Sequence, residues 1–227
     1  TICYVRIFLL NICNLITGAT RPDAERVFQN IKTTIEALSE HDCEHYALTY
    51  KTDESLKLQE KIKNENLNVN LFLIDPIEEA IGGYNGNNYR MVRCIELLAE
   101  KVENLSSFDC VLRHRIDCEL LSIEVPEVIK ENTYYAPWMP WNLPFDNIGL
   151  MTPEVFKKVF HTEGKSFEEP TPHHTINQSI VTQGLQTEPF NFKKRLYQSS
   201  DPEFMGVPQW SKENRTFHHQ DEWVTIH

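Results

Sequence analysis

The first half of the chain alternates between short apolar segments and segments with helical periodicity. Such alternation is typical of an α/β fold, in which helices connect the parallel strands of one sheet. The apolar residues of two long segments recur at helical spacing and form one face each. We expect strands at 12–16, 46–50, 69–74 and 108–114, a short helix at 56–62, and helical faces at Val27, Phe28, Ile31, Ile35 and Leu38 and at Val92, Ile95, Leu98, Val102 and Leu105.

The second half has a different texture. Prolines interrupt it repeatedly, among them those at positions 126, 137, 140, 144, 153, 170 and 172. Since proline removes a backbone donor and disfavours strand and helix interiors, we expect a less regular half that packs on the same sheet. The chain of 227 residues is then one domain, 1–227, with a mostly parallel central sheet flanked by helices, and its halves are 1–122 and 123–227.

Charge and cysteine usage exclude several classes of protein. The net charge is -11, and Lys193-Lys194-Arg195 is the only basic triplet, so we expect no nucleic-acid partner. The six cysteines contain no Cys-x-x-Cys pair, which argues against a zinc site or a disulfide framework. Reduced thiols favour a cytoplasmic location.

The apolar beginning of the chain does not resemble a membrane span. Arg6, Asn11 and Asn14 interrupt the segment 2–16, which is also too short to cross a bilayer comfortably. We therefore expect strands there and no transmembrane segment. Because the chain does not begin with methionine, we expect it to be a piece of a longer protein.

Two carboxylates follow the last predicted strand of the first half. Asp117 and Glu119 are one residue apart, and in extended backbone both side chains project to the same side and can reach one hard cation. Arg113 and Arg115 alongside would help to bind an anion. A metal with arginines indicates a ligand that carries phosphate; the alternative is a solvated loop with local ion pairs.

Three loops are expected to form one crevice. Ligands of open α/β sheets bind outside the carboxyl ends of the strands, and the segments 17–21, 85–90 and 113–119 all follow or border such ends. Arg90 and Arg93 are three residues apart on one helical face, where they could meet a phosphate near the helix N-terminus.

Four short motifs occur in an order that resembles a known enzyme family. They are Gly18-Ala19-Thr20-Arg21, Asn88-Tyr89-Arg90, Arg115-Ile116-Asp117 and Asp146-Asn147-Ile148-Gly149-Leu150. Over roughly residues 12–160 the chain resembles GT-A-fold glycosyltransferases, and most of all the small sugar transferases of bacterial surface-polysaccharide biosynthesis and of large algal viruses.

The resemblance implies a donor site and a cofactor. It implies a UDP- or GDP-sugar donor, a Mn²⁺ or Mg²⁺ ion on the donor diphosphate, and a DxD-like metal motif in which Glu119 stands where an aspartate is usual. His218 and His219 are candidates to complete the metal site, and His173-His174 is a second pair that could serve. The residues expected to bind the nucleotide sugar are Thr17, Gly18, Arg21, Asn88, Arg90, Arg93 and Arg115.

The resemblance also implies a glycan acceptor. Trp138 and Trp141 lie in a proline-rich aromatic segment that could stack on a sugar, although core packing is a rival explanation. Asp146 is the candidate catalytic residue. An enzyme that inverts the anomeric centre needs a carboxylate that deprotonates the acceptor, whereas one that retains its configuration requires no such base, and the sequence does not decide between them.

Two other functions fit the same expected fold. A nucleotidyltransferase of sugar-nucleotide synthesis would normally have a glycine-rich, basic loop after its first strand, and Gly18-Ala19-Thr20-Arg21-Pro22 is poor in glycine. A carbohydrate-binding or scaffold domain without catalytic activity is the second alternative.

Overall fold

A seven-stranded sheet organises the protein. The computed structural model describes residues 9–77, 84–136, 144, 146–165, 167, 171–196 and 224–225. The strands are β1 (Asn11–Thr17), β2 (Asp42–Tyr50), β3 (Asn70–Ile74), β4 (Cys110–Arg115), β5 (Cys118–Ile123), β6 (Thr133–Tyr135), β7 (Ile148–Met151), β8 (Gln186–Glu188), β9 (Phe192–Leu196) and β10 (Val224–Thr225). The helices are α1 (Ala24–Ala37), α2 (Asp53–Asn64), α3 (Tyr84–Ala99), α4 (Pro153–Val159) and α5 (Pro172–Thr182).

The strand order confirms the predicted α/β class. The large sheet has the order β3-β2-β1-β4-β7-β6-β8, and its first four strands are parallel. β7 is antiparallel to both β4 and β6, and β8 runs parallel to β6. Strands from the proline-rich half therefore extend the sheet that the first half begins. A smaller antiparallel sheet has the order β10-β9-β5.

Helices cover both faces of the large sheet. Ile16 and Ala47 pack with α1 and α2 on what we call the first face. Leu15 and Leu48, their neighbours in β1 and β2, pack with α3, α4 and α5 on the second face. Successive side chains of a strand point to opposite faces, so the near-continuous apolar runs of β1 and β2 are those of strands buried on both sides.

Capping side chains set where several helices begin. Asp23 caps α1 by accepting from the backbone N–H of Arg26 at 2.8 Å, so the helix begins just after Pro22 and not at it. Thr52 and Ser55 form a reciprocal capping box at α2. Pro153 and Pro172 occupy the first positions of α4 and α5, where a missing N–H costs nothing.

The cysteines of the described chain are all free thiols: Cys13, Cys43, Cys94, Cys110 and Cys118. Within the same residues, the structure contains no helix with the length and apolar character that a membrane crossing requires.

Candidate functional site

A cavity of about 400 Å³ opens on the second face, beyond the ends of β1 and β4. The carboxyl ends of parallel strands meet there, which is where ligands of open α/β sheets bind. The cavity wall brings together seven of the site residues predicted from sequence: Thr17, Gly18, Arg21, Arg90, Arg115, Asp117 and Asp146. Arg113, Tyr50, Met91, Cys94 and Pro172 also line it.

Gly18 lets the chain leave β1 close to the β4–β5 turn. Its φ is +145°, and a Cβ atom there would lie 3.0 Å from Cγ2 of Ile116. The N–H of Ile116 donates to the carbonyl of Thr17 at 2.9 Å, which holds the two loops together. A side chain at position 18 would therefore be strained and would push the loops that carry Thr17 and Asp117 apart.

Arg115 and Asp117 form a bidentate pair on the cavity wall. Nε of Arg115 donates to Oδ1 of Asp117 at 2.8 Å, and Nη2 donates to Oδ2 at 2.5 Å. Nη1 donates to Oδ1 of Asn147 at 3.2 Å. Burial alone would lower the pKa of Arg115, but the charges of Asp117 and Asp146 raise it above its ordinary value. The guanidinium is therefore charged and held in one orientation.

Glu119 does not share a site with Asp117, and the expectation that both side chains reach one ion is wrong. Asp117 lies in the turn after β4, whereas Glu119 lies in β5, so no continuous extended backbone connects them. The Glu119 carboxylate accepts from Oγ1 of Thr33 on α1 at 3.1 Å. Among the described residues, those that line the cavity do not include Glu119.

Two further residues from the predicted nucleotide-sugar set lie off the described wall of the cavity. Arg93 forms ion pairs with Glu96 at 2.7 Å and Glu100 at 2.9 Å, so it runs along α3 and does not accompany Arg90. Asn88 is buried in the first half of α3 without lining the cavity. Trp138, Trp141, His218 and His219 fall outside the residues that the structure describes.

Asp146 has a histidine partner that sequence reasoning missed. The backbone N–H of Asp146 donates to Nδ1 of His173 at 3.1 Å, and the same nitrogen lies 3.4 Å from Oδ1 of Asp146. His173 stands in the first turn of α5. The sequence offers His173-His174 as a possible metal pair, and nothing in it indicates that α5 returns to Asp146. Tyr50 was missed too, although it ends β2 and the strand-end rule applies to it.

The cavity wall carries a local excess of positive charge. Four arginines, at positions 21, 90, 113 and 115, face two carboxylates, Asp117 and Asp146, which leaves an excess of two positive charges. The whole chain, by contrast, has a net charge of -11. Guanidinium groups match the geometry of phosphate and carboxylate oxygens, so this wall suits an anionic ligand.

The carboxylates present fit a divalent cation only if the ligand completes its coordination. Within the described chain, no three His, Cys, Asp or Glu side chains are grouped closely enough to hold a metal. Mg²⁺ and similar ions commonly take one or two protein carboxylates together with substrate phosphates and water. Asp117 meets this requirement, because a carboxylate has about four lone-pair sites and Arg115 uses two of them.

Comparisons with known proteins place the chain near sugar transferases in structure, at low similarity. No family model and no curated protein sequence matches it. The galactosyltransferase LgtC, solved with donor and acceptor sugar analogues, is 11% identical, with 77% of this chain and 72% of that chain covered and a TM-score of 0.49. A protein from Desulfovibrio desulfuricans G20 described as a nucleotide-diphospho-sugar transferase is 9% identical, with 78% of each chain covered and a TM-score of 0.48.

A third similar structure holds a metal and a donor. A mutant of Drosophila β1,4-galactosyltransferase 7, in complex with manganese, UDP-Gal and xylobiose, is 12% identical, with 96% of this chain and 71% of that chain covered and a TM-score of 0.48. All three TM-scores are below 0.5, so we draw no functional conclusion from these similarities and rely on the cavity itself.

Proposed function

We propose that the protein is a glycosyltransferase that binds a nucleotide-diphosphate sugar in the arginine-lined cavity and transfers the sugar to a glycan. One observation carries the proposal. Segments far apart in sequence bring Arg21, Arg90 and Arg115 to one wall together with Asp117 and Asp146. These segments are the loop after β1, helix α3, the end of β4 with the turn after it, and the residues before β7. Arginines beside carboxylates are the combination that a diphosphate leaving group and an acceptor hydroxyl require.

The arginines act on the departing diphosphate. Sugar transfer breaks the bond between the anomeric carbon and the diphosphate oxygen, and negative charge builds on that oxygen. Arg115 is already oriented by Asp117 and Asn147, so it needs little reorganisation when the charge develops. Arg21 and Arg90 supply further donors for the phosphate oxygens.

Asp117 would hold a Mn²⁺ or Mg²⁺ ion together with phosphate oxygens and water. When bound, the ion supplies Lewis-acid stabilisation of the leaving diphosphate. His218 and His219 stay the predicted further ligands. UDP- and GDP-sugars are both candidate donors, because the wall described here selects for phosphate and not for one base.

Asp146 is the proposed base for the acceptor hydroxyl. Its carboxylate lines the cavity, and His173 lies beside it at 3.4 Å. If transfer inverts the anomeric centre, Asp146 takes the proton from the hydroxyl that attacks. Trp138 and Trp141 stay candidates for contact with the acceptor sugar.

Calorimetric titration of UDP and of GDP, each with and without Mn²⁺, tests the proposal. We expect one nucleotide to bind and Mn²⁺ to strengthen its binding at least tenfold, which corresponds to about 1.4 kcal/mol. Asp117→Asn should remove the Mn²⁺-dependent part, and nucleotide diphosphate should be released from the matching sugar donor by the unmodified protein only. A protein that binds neither nucleotide under either condition contradicts the proposal.

Lys57→Gln is a suitable control for that titration. Lys57 is exposed on α2, where it pairs with Glu54. Its loss changes the net charge by one unit, in the opposite direction to Asp117→Asn and away from the cavity. We expect it to leave nucleotide affinity unchanged within experimental error.

A further inference from the structure

Arg113 differs from the other arginines of the cavity wall. Its side chain is fully buried, with 0% exposure, while Arg21 is exposed and Arg90 is half-buried. Within the described part of the chain, neither Nε nor Nη1 of Arg113 has a hydrogen-bond partner. Its guanidinium lies 5.8 Å from the centre of the Phe160 ring, which fixes its position without satisfying its donors.

A second buried donor lies beside it. Tyr134 has 0% exposure, and in the residues described here its hydroxyl has no hydrogen-bond partner either. Gly149 of β7 pairs in register with Arg113 of β4, and a Cβ atom at position 149 would lie 2.3 Å from the Tyr134 oxygen. The phenol therefore extends over Gly149 towards Arg113, and only the missing side chain at position 149 permits this.

Burial of Arg113 without these hydrogen bonds lowers the stability of the folded protein. A buried charge with unsatisfied donors loses several kcal/mol of hydration, so buried arginines are normally paired, as Arg115 is with Asp117. Asp146 and Asp117 attract Arg113 electrostatically but do not hydrogen-bond to Nε or Nη1. Desolvation outweighs that attraction and lowers the pKa of Arg113 below its ordinary value. An anionic group at this position would remove the penalty.

We propose that Arg113 binds an anionic oxygen group of the ligand at the inner end of the cavity, and that Tyr134, which does not line the described cavity wall, positions Arg113 from behind. The inference rests on the proposed function, in which Arg21, Arg90 and Arg115 already face the diphosphate. The anionic group is then either the phosphate next to the sugar or a carboxylate on the sugar, as in a hexuronic acid. Both present oxygen acceptors to a guanidinium.

Arg113→Met separates this role from a structural one. Methionine fills a similar volume without charge, and replacing a poorly paired buried charge by an apolar side chain is often neutral or stabilising. We expect an unchanged or higher Tm by circular dichroism, together with a tenfold to hundredfold loss of ligand affinity by calorimetry. Tyr134→Phe should lose affinity by a smaller factor at unchanged Tm. A structural role would show the reverse: a lower Tm and unchanged affinity.

Four titrants identify the anionic group: UDP, UDP-glucose, UDP-glucuronic acid and inorganic diphosphate, with the guanosine series in place of the uridine series if the protein prefers it. A loss shared by all four titrants assigns Arg113 to the phosphate. A loss confined to the glucuronic acid conjugate assigns it to a sugar carboxylate. Arg93→Met, which removes an arginine that is already paired on α3, should change none of these affinities.

Failure of this inference is distinct from failure of the proposed function. If the unmodified protein binds nucleotides and Arg113→Met binds every titrant equally well, the inner subsite is wrong and the proposed function stands. If inorganic diphosphate binds with a dependence on Arg113 but no nucleotide binds, the subsite stands and the proposed function is wrong.

Discussion

The two faces of the large sheet both bury polar groups, but of different kinds. On the first face they are mostly neutral, and each of the following makes a hydrogen bond within the protein: Asn14 with His45 at 3.0 Å, Asn30 with the carbonyl of Ile116 at 3.2 Å, and Thr34 with the N–H of Leu120 at 3.3 Å. On the second face they are charged and surround a cavity. In the described chain the first face still leaves neutral acceptors without a partner, Oδ1 of Asn14 and of Asn30, whereas the second face leaves two donors of the charged Arg113 without one. The faces thus differ in the charge of the group that lacks a partner, and an unpaired buried charge is the more costly of the two.

His45 provides the test with the largest expected effect. Burial lowers its pKa to about 4, below the value of about 6.5 for an exposed histidine. Between those values the unfolded chain binds a proton that the folded chain does not, so stability is complete above pH 6.5 and falls as the pH drops towards 4. The expected loss from this group is about 3 kcal/mol.

Urea unfolding at pH 7, 5.5 and 4.5 measures this loss, and His45→Gln is the control because glutamine does not titrate. The difference in unfolding free energy between pH 7 and pH 4.5 should be smaller in the variant by most of that amount. Equal pH dependence in both proteins would show that burial does not lower the pKa of His45 in the folded protein, and would contradict the buried, neutral pairing with Asn14.

Gly149→Ala tests the close contact between Gly149 and the Tyr134 hydroxyl on the second face. The added Cβ would overlap the Tyr134 hydroxyl, so the phenol must move away from Arg113. Overpacking of a buried site typically costs about 1–3 kcal/mol, and we expect about 2 kcal/mol in urea unfolding. In a Tyr134→Leu background the same change should cost clearly less. Additive effects of the two substitutions would contradict the close contact on which the proposed inner subsite depends.

Thr34→Val removes one of the internal pairs of the first face. Valine has nearly the same shape, but it leaves the N–H of Leu120 without its acceptor, which should cost about 1 kcal/mol of unfolding free energy. Thr33→Val is the matched control. Thr33 is only half-buried and donates to Glu119, so its loss should cost less. A larger loss of unfolding free energy in Thr33→Val than in Thr34→Val would contradict this expectation.

The sequence predicts the first half of the fold well for a physical reason. The alternation of apolar strands and amphipathic helices is a local signal, and β1 to β4 with α1 and α2 follow it to within a few residues. The third helix ends at Ala99, so Val102 and Leu105 of its predicted face lie beyond it. The pairing of β6, β7 and β8 at the far edge of the sheet is not local. Short strands separated by prolines leave no periodicity, and their order depends on contacts that only the folded chain makes.

The sequence also predicts part of the candidate site. The strand-end rule brings Thr17, Gly18 and Asp117 to one cavity, because it depends only on parallel pairing. Asp146 precedes the antiparallel strand β7, so this rule does not predict its place in the cavity. Side-chain direction after the strand was not predictable, since one turn sends Asp117 to the cavity and Glu119 to α1. The sequence also does not predict that Arg113 is buried without partners for its Nε and Nη1 donors. Tyr134 and Phe160, which lie beside it, belong to distant segments of the chain.

A comparison of Glu119→Gln with Asp117→Asn tests which of the two carboxylates contacts the ligand. We expect Glu119→Gln to have almost no effect on binding. The two substitutions remove the same charge two residues apart, but only the Asp117 carboxylate lines the cavity. Calorimetry should show Mn²⁺-dependent nucleotide binding within twofold of the unmodified protein for Glu119→Gln, because its carboxylate contacts Thr33 of α1. A loss equal to that of Asp117→Asn would mean that both carboxylates reach the ligand, which requires the Glu119 side chain to leave Thr33 and turn towards the cavity.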